Sequence, residues 1–134
     1  MEGSNYKETT NAEEFLEIFN EQKEKGEPWV AWFTSGHSEE LGKLWCPDCV
    51  KTEESIKKGL EEHWADKFAV KAILATRDDW KGQTEHPYRT HESIQVDCIP
   101  TLIVYNGGEQ KVKEKDENVL ADEAKVQEIL TSHV

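Results

Sequence analysis

The chain has 134 residues, 36% of them apolar and 33% charged, and its 28 acidic residues outnumber its 16 basic ones for a net charge of −12. That length fits one domain, residues 1–134, with a core expected over about 6–131. The acidic balance speaks against nucleic-acid binding, which needs a basic face to neutralise phosphate, and against docking on anionic membranes.

In chain order, Tyr6 to Thr9 has the makings of a short strand. Asn11-Ala12-Glu13-Glu14 reads as a capping box ahead of an apolar stripe of Phe15, Ile18 and Phe19, so a helix is expected to run to about Gly26. Trp29 to Phe33 is a continuous apolar run, the pattern of a central strand buried on both faces. Ser35 to Lys43 is polar, contains Gly36 and Gly42, and reads as loop. A helix should then run from Pro47 towards Trp64, with Val50, Ile56, Leu60 and Trp64 available to bury. Phe68 to Ala75 is a second buried strand, Asp78 to Thr84 a polar loop, and Pro87 the opening of a short helix. Thr101 to Tyr105 is a third strand, and Asn106-Gly107-Gly108 has hairpin chemistry, so Gln110 to Glu114 should pair with it. A last helix is expected over about Asp122 to Leu130, packing through Ala124, Val126, Ile129 and Leu130. Strands alternating with helices and closing in a hairpin and a helix imply an α/β fold, a central mixed sheet with helices on both faces.

The chemistry concentrates in Trp45-Cys46-Pro47-Asp48-Cys49. Two cysteines three apart at a helix start lie on nearly one face of its first turn, close enough to form a disulfide or share an incoming one. Pro47 suits the first helical position, where a missing N–H costs nothing. Cys46 then falls at the N-cap, where free N–H groups and the helix dipole favour a thiolate. The thiolate is the attacking species in thiol–disulfide exchange. With Cys98 the cysteines number three; an odd count with two in a CxxC does not resemble a secreted disulfide framework. The polar N-terminus shows no secretory signal, and no stretch approaches the roughly 18 apolar residues of a membrane span. A reducing, cytoplasmic location is therefore expected. Zinc would need about four ligands; with no second CxxC or HxxxH, and with His37, His63, His86 and His91 scattered and expected to be solvated, no metal site is expected.

Cys46 and Cys49 after a buried strand, together with Ile99-Pro100-Thr101 at the start of the next-to-last strand, resemble the thioredoxin superfamily. Trp-Cys-Pro-Asp-Cys-Val, with Trp80-Lys81 and Tyr88-Arg89 downstream, resembles its Clot-type branch, the thioredoxin domain-containing protein 17 family, over about residues 6–131. The resemblance implies a thioredoxin-like fold, with Cys46 as nucleophile and Cys49 as resolving thiol. It makes Trp45 the flanking aromatic of the docking surface, with Pro47 and Asp48 supporting the site. Pro100 would be cis, leaving the backbone of Ile99 to pair with a substrate. The family holds no bound cofactor beyond the redox-active Cys46–Cys49 disulfide. It reduces small disulfides such as cystine and selected protein disulfides, and thioredoxin reductase recharges it with electrons from NADPH. The chain departs from common thioredoxins in its first central strand, where Ala31 stands in place of a buried acid that assists the resolving cysteine. Asp48 suits a helix N-terminus, yet its charge opposes a nearby thiolate, so its net effect on Cys46 is open. Cys98, two residues before Pro100, is either a small packing residue or a regulatory thiol.

The expected protein is thus a monomeric disulfide reductase. The alternative is a thioredoxin-fold binding module for a signalling or motor partner. The insertion between Phe33 and Trp45, eleven residues from Thr34 to Leu44, is expected to restrict what reaches Cys46, with Glu39 and Glu40 adding negative charge.

Overall fold

The computed structural model describes residues 6–38 and 43–132. Its elements are β1 (Tyr6–Thr9), α1 (Ala12–Lys25), β2 (Pro28–Ser35), β3 (His37–Ser38), β4 (Lys43–Leu44), α2 (Pro47–His63), β5 (Phe68–Leu74), α3 (Pro87–Thr90), β6 (Thr101–Asn106), β7 (Glu109–Glu114), α4 (Glu117–Leu120) and α5 (Glu123–Ser132). Five strands form one sheet in the order β1-β5-β2-β6-β7. The β5 strand runs parallel to β1 and β2, while β6 is antiparallel to both β2 and β7. This is the expected mixed sheet, with β2 at its centre.

The period-two alternation of side chains divides the core. On β2, Trp29, Ala31 and Phe33 pack with Phe15, Ile18 and Phe19 of α1. Val30 and Trp32 point the other way, into a second cluster with Ile56 and Leu60 of α2 and Val126 and Leu130 of α5. A strand buried on both faces must be apolar at every step, which is why Trp29 to Phe33 carries no polar residue. Trp29 stacks on Tyr105 of β6 with ring centroids 4.5 Å apart, and its indole N–H donates to the Gly107 carbonyl. The buried indole thus has its polar atom satisfied as well as its area covered.

Helix α1 begins where expected, with the Asn11 side chain accepting from the N–H groups of Glu13 and Glu14. The box is only half formed, because the Asn11 N–H donates to Thr9 Oγ1 rather than to Glu14. Gly26, at φ 64°, closes the helix in the left-handed conformation that glycine adopts without a steric cost. In the β6–β7 hairpin Gly107 takes a positive φ of 61° at the first of two turn positions, where type II′ geometry asks for it.

Several local expectations need correction. The segment read as loop over Ser35 to Lys43 contains strand: Ser35 completes β2, and His37–Ser38 pairs antiparallel with Lys43–Leu44. Residues 39–42, including Glu39 and Glu40, lie outside the described residues. The polar stretch after β5 begins with a single 3-10 turn at Arg77–Asp79, closed by a reciprocal capping box of Thr76 and Asp79. The C-terminal helix is preceded by a separate short α4, whose Leu120 is buried. Val50 is 40% exposed, and Ala124 is exposed too; both lie on the solvent side of amphipathic helices. His86 and His91 are not idle solvated groups. Each caps a turn through Nδ1, accepting from the N–H of Tyr88 and of Ser93.

Candidate active site

The end of β2 and the start of α2 are joined by a segment whose base is closed. The Gly36 N–H and the Trp45 indole N–H both donate to the Leu74 carbonyl, at 2.9 and 2.8 Å, and the Trp45 N–H donates to the Gly36 carbonyl. A Cβ on Gly36 would lie 2.9 Å from the Ala75 carbonyl oxygen, so glycine is required there by close backbone approach. Trp45 is thereby pinned beside β5, half-buried, and Cys46 follows directly.

Cys46 is the N-cap of α2, with extended backbone (φ −104°, ψ 115°), and Pro47 occupies the first turn. The Cys46 N–H donates to Ser35 Oγ at 3.4 Å. Its thiol donates to the Ile99 carbonyl at 3.8 Å, and the Ile99–Pro100 peptide is cis. The structure therefore brings together Trp45, Cys46, Cys49, Ile99 and Pro100, although 53 residues of sequence separate Cys46 from Pro100. Both motif cysteines are free thiols; Cys46 is 9% exposed and Cys49 fully buried.

The two thiols differ sharply in acidity. The bond from the Cys49 thiol favours the Cys46 thiolate more than any other interaction. Burial opposes it, and the backbone N–H groups of Cys49 and Asp48 reinforce it, bringing Cys46 down to about 7. At Asp48 the backbone N–H favours the Cys46 thiolate, while the charge of its carboxylate opposes it. Cys49 is pushed far up, because its proton is held in the bond to Cys46 and because it is buried. One thiol is thus made more acidic than an ordinary cysteine, and the other holds its proton more tightly.

Asp48 is exposed and faces Glu117 of α4, whose carboxyl it raises through a hydrogen bond and charge repulsion. Cys98 lies half-buried beside Ile99. Burial, followed by the charge of Asp97, holds it as the thiol, and Asp97 is itself paired with Lys115 at 3.1 Å. Arg89 lies 3.7 Å from the Trp80 ring centroid and donates to the carbonyls of Trp80 and Asp97. That fastens the α3 region to the approach to Ile99. Sequence reasoning missed Ser35 and Glu117. Ser35 was signalled only as a polar residue that continues β2 past its apolar run, well before the motif. Glu117 had no local signal, since only the packing of α4 beside α2 brings it to Asp48.

A profile of the family described as thioredoxin domain-containing protein 17-like, thioredoxin domain, matches residues 8–132. The chain belongs to this family. It is 32% identical to thioredoxin domain-containing protein 17 of Mus musculus over 104 residues, 78% of this chain and 79% of the mouse protein. It is 31% identical to the thioredoxin-like protein Clot of Arabidopsis thaliana over 84 residues, 63% of this chain and 62% of that protein. Among solved structures, thioredoxin O2 of Arabidopsis thaliana in the oxidised state superposes with a TM-score of 0.65 at 16% identity, covering 96% of this chain and 94% of the other. Thioredoxin NaTrxh of Nicotiana alata does so at 0.63 and 14%, covering 99% and 96%. The fold of this member of the 17-like family is therefore that of thioredoxin, and membership supports a redox function. No helix among the described residues is long and apolar enough to cross a membrane.

Proposed function

We propose that this protein is a cytoplasmic, monomeric thiol–disulfide reductase in which Cys46 attacks and Cys49 resolves. The observation that carries the reading is the helix-capping Cys46, brought down to about 7 by its neighbours and facing the Ile99 carbonyl at the cis peptide. At neutral pH a large fraction of Cys46 is thiolate, whereas an ordinary thiol near 8.5 is mostly protonated. The thiolate attacks one sulfur of a substrate disulfide; the sulfur–sulfur bond breaks and the first substrate thiolate departs. Cys49 then attacks Cys46, the mixed disulfide breaks, and the second substrate thiolate leaves. The Cys46–Cys49 disulfide that remains is recharged by thioredoxin reductase and NADPH, with no bound cofactor.

The backbone of Ile99 at the cis peptide would pair with the substrate backbone, and Trp45 would flank it. The insertion between Phe33 and Trp45, Thr34 to Leu44, restricts the site to small disulfides such as cystine and to selected protein disulfides. Two thiols placed and tuned in this way argue against a role limited to binding a signalling or motor partner. The test is NADPH consumption with thioredoxin reductase, offering cystine and insulin separately. The reading expects cystine to be reduced faster than insulin, no turnover for Cys46→Ser, and a trapped mixed disulfide for Cys49→Ser. An inert wild type, or turnover by Cys46→Ser, would contradict it.

A further inference from the structure

Thr34 sits near the end of β2, paired with Ile73 of β5. It has the parity of Val30 and Trp32, which places it on the α2 side of the sheet. Its side chain is fully buried, and its hydroxyl has no hydrogen-bond partner at normal geometry. A buried unpaired hydroxyl is costly and uncommon. The group it bears on is the Cys49 sulfur, where it favours the thiolate, and the backbone N–H of Ser35 acts on the same sulfur in the same sense. In the dithiol state Cys49 keeps its proton, since that proton serves Cys46. The Thr34 hydroxyl therefore has no charge to bond to at rest.

We infer that the Thr34 hydroxyl and the Ser35 N–H form a two-donor cradle for the Cys49 thiolate, used only while Cys49 attacks the mixed disulfide. The inference deepens the reductase reading and rests on it. Once Cys46 is bonded to substrate it no longer takes the Cys49 proton, and Cys49 must become a nucleophile inside the core. Its proton passes in net to the departing substrate thiolate. The new bond joins Cys49 to Cys46, and the bond from Cys46 to the substrate sulfur breaks. No residue of β2 from Pro28 to Ser35 is ionisable, so this strand can assist only through neutral donors. Cys46 is the titratable neighbour of Cys49; Asp48 acts on Cys46, and Glu117 lies beyond Asp48. A donor left unpaired in the ground state and engaged in the transition state accelerates the step it serves, because its bond is gained only there.

The experiment follows reduction of dipyridyl disulfide, which releases one coloured thiopyridone when Cys46 attacks and a second when Cys49 resolves. Cys98→Ser is present in every protein so that two thiols report. Thr34→Val, which keeps the shape and removes the hydroxyl, should leave the first phase within about twofold and slow the second by about tenfold or more. Thr34→Ser should restore most of the second phase. If Thr34→Val resolves as fast as its parent while the parent shows both phases, the cradle is wrong and the reductase reading stands. An equal slowing of both phases, or slow resolution in Thr34→Ser as well, would mark a packing role and overturn the assignment. A parent protein that shows no second phase overturns both.

Discussion

Asp48 acts on Cys46 in two opposed ways, through a backbone N–H that favours the thiolate and a carboxylate that disfavours it. Asp48→Asn keeps the N–H and removes the charge, so the Cys46 pKa should move further down. The rate of alkylation by iodoacetamide against pH should shift towards acid, while Asp48→Ala, which also keeps the N–H, should shift it in the same direction. An upward shift in either variant would mean that the carboxylate helps the thiolate. Glu117 should respond too, since its raised carboxyl owes most to the hydrogen bond with Asp48. Cys98, held protonated by burial and by Asp97, should react more slowly than Cys46 at neutral pH. The buried Thr34 hydroxyl makes a separate point at this scale. Removing an unpaired buried polar group commonly leaves stability unchanged or improved, by up to about 1 kcal/mol.

Helix α2 delivers both cysteines, and its position depends on a close crossing with α5. A Cβ on Gly59 would come within 2.7 Å of Val126 Cγ1 and 3.2 Å of Leu130 Cδ1, and β-branched Val126 has little freedom to turn away. Gly59→Ala gains about 1 kcal/mol of helix propensity but overpacks the crossing at a cost of roughly 1–3 kcal/mol. The expected outcome is a lower midpoint in urea with an unchanged slope; a raised midpoint would mean that α5 can give way. Much at this scale was legible in the sequence. The apolar run of β2, the Pro47 start of α2 and the glycine turn of the hairpin each have a local physical cause. What was not legible depends on contacts made at long range. Short α4 shows no periodicity of its own and is fixed by burying Leu120, while Ser55 Oγ donates to the Leu120 carbonyl. The strand character of His37–Ser38 depends on pairing with Lys43–Leu44, and polar residues gave no period-two signal for it. Val50 and Ala124 were misread because an apolar residue on a helix says nothing by itself about which face meets the sheet.

At the scale of the whole molecule, the sheet order places the end of β2 and the start of β6 side by side, with the N-terminus of α2 over them. Phe33 opposite Thr101 is the last register pair of β2 and β6, and Thr34, Ser35 and Cys46 lie beyond it on one side, with Ile99 and Pro100 on the other. Ligands of open α/β sheets bind beyond strand ends in this way, so the two motifs far apart in sequence become one site because of topology. The net charge of −12 bears on every substrate before it reaches the thiols, and that influence fades as salt screens it over about 10 Å at 0.1 M ionic strength. The central claim is that Cys46 is the poised nucleophile and Cys49 its protonated partner. It is tested most directly by alkylating the fully reduced protein with limiting iodoacetamide across a pH series and locating the label by peptide mass spectrometry. Because only the thiolate reacts, the account predicts that Cys46 takes the label first, slowly at acidic pH and faster as pH rises through about 7, then level, with Cys49 unlabelled throughout that range. Label appearing on Cys49 ahead of Cys46, or a Cys46 rate that rises only near 8.5 like an ordinary thiol, would contradict it.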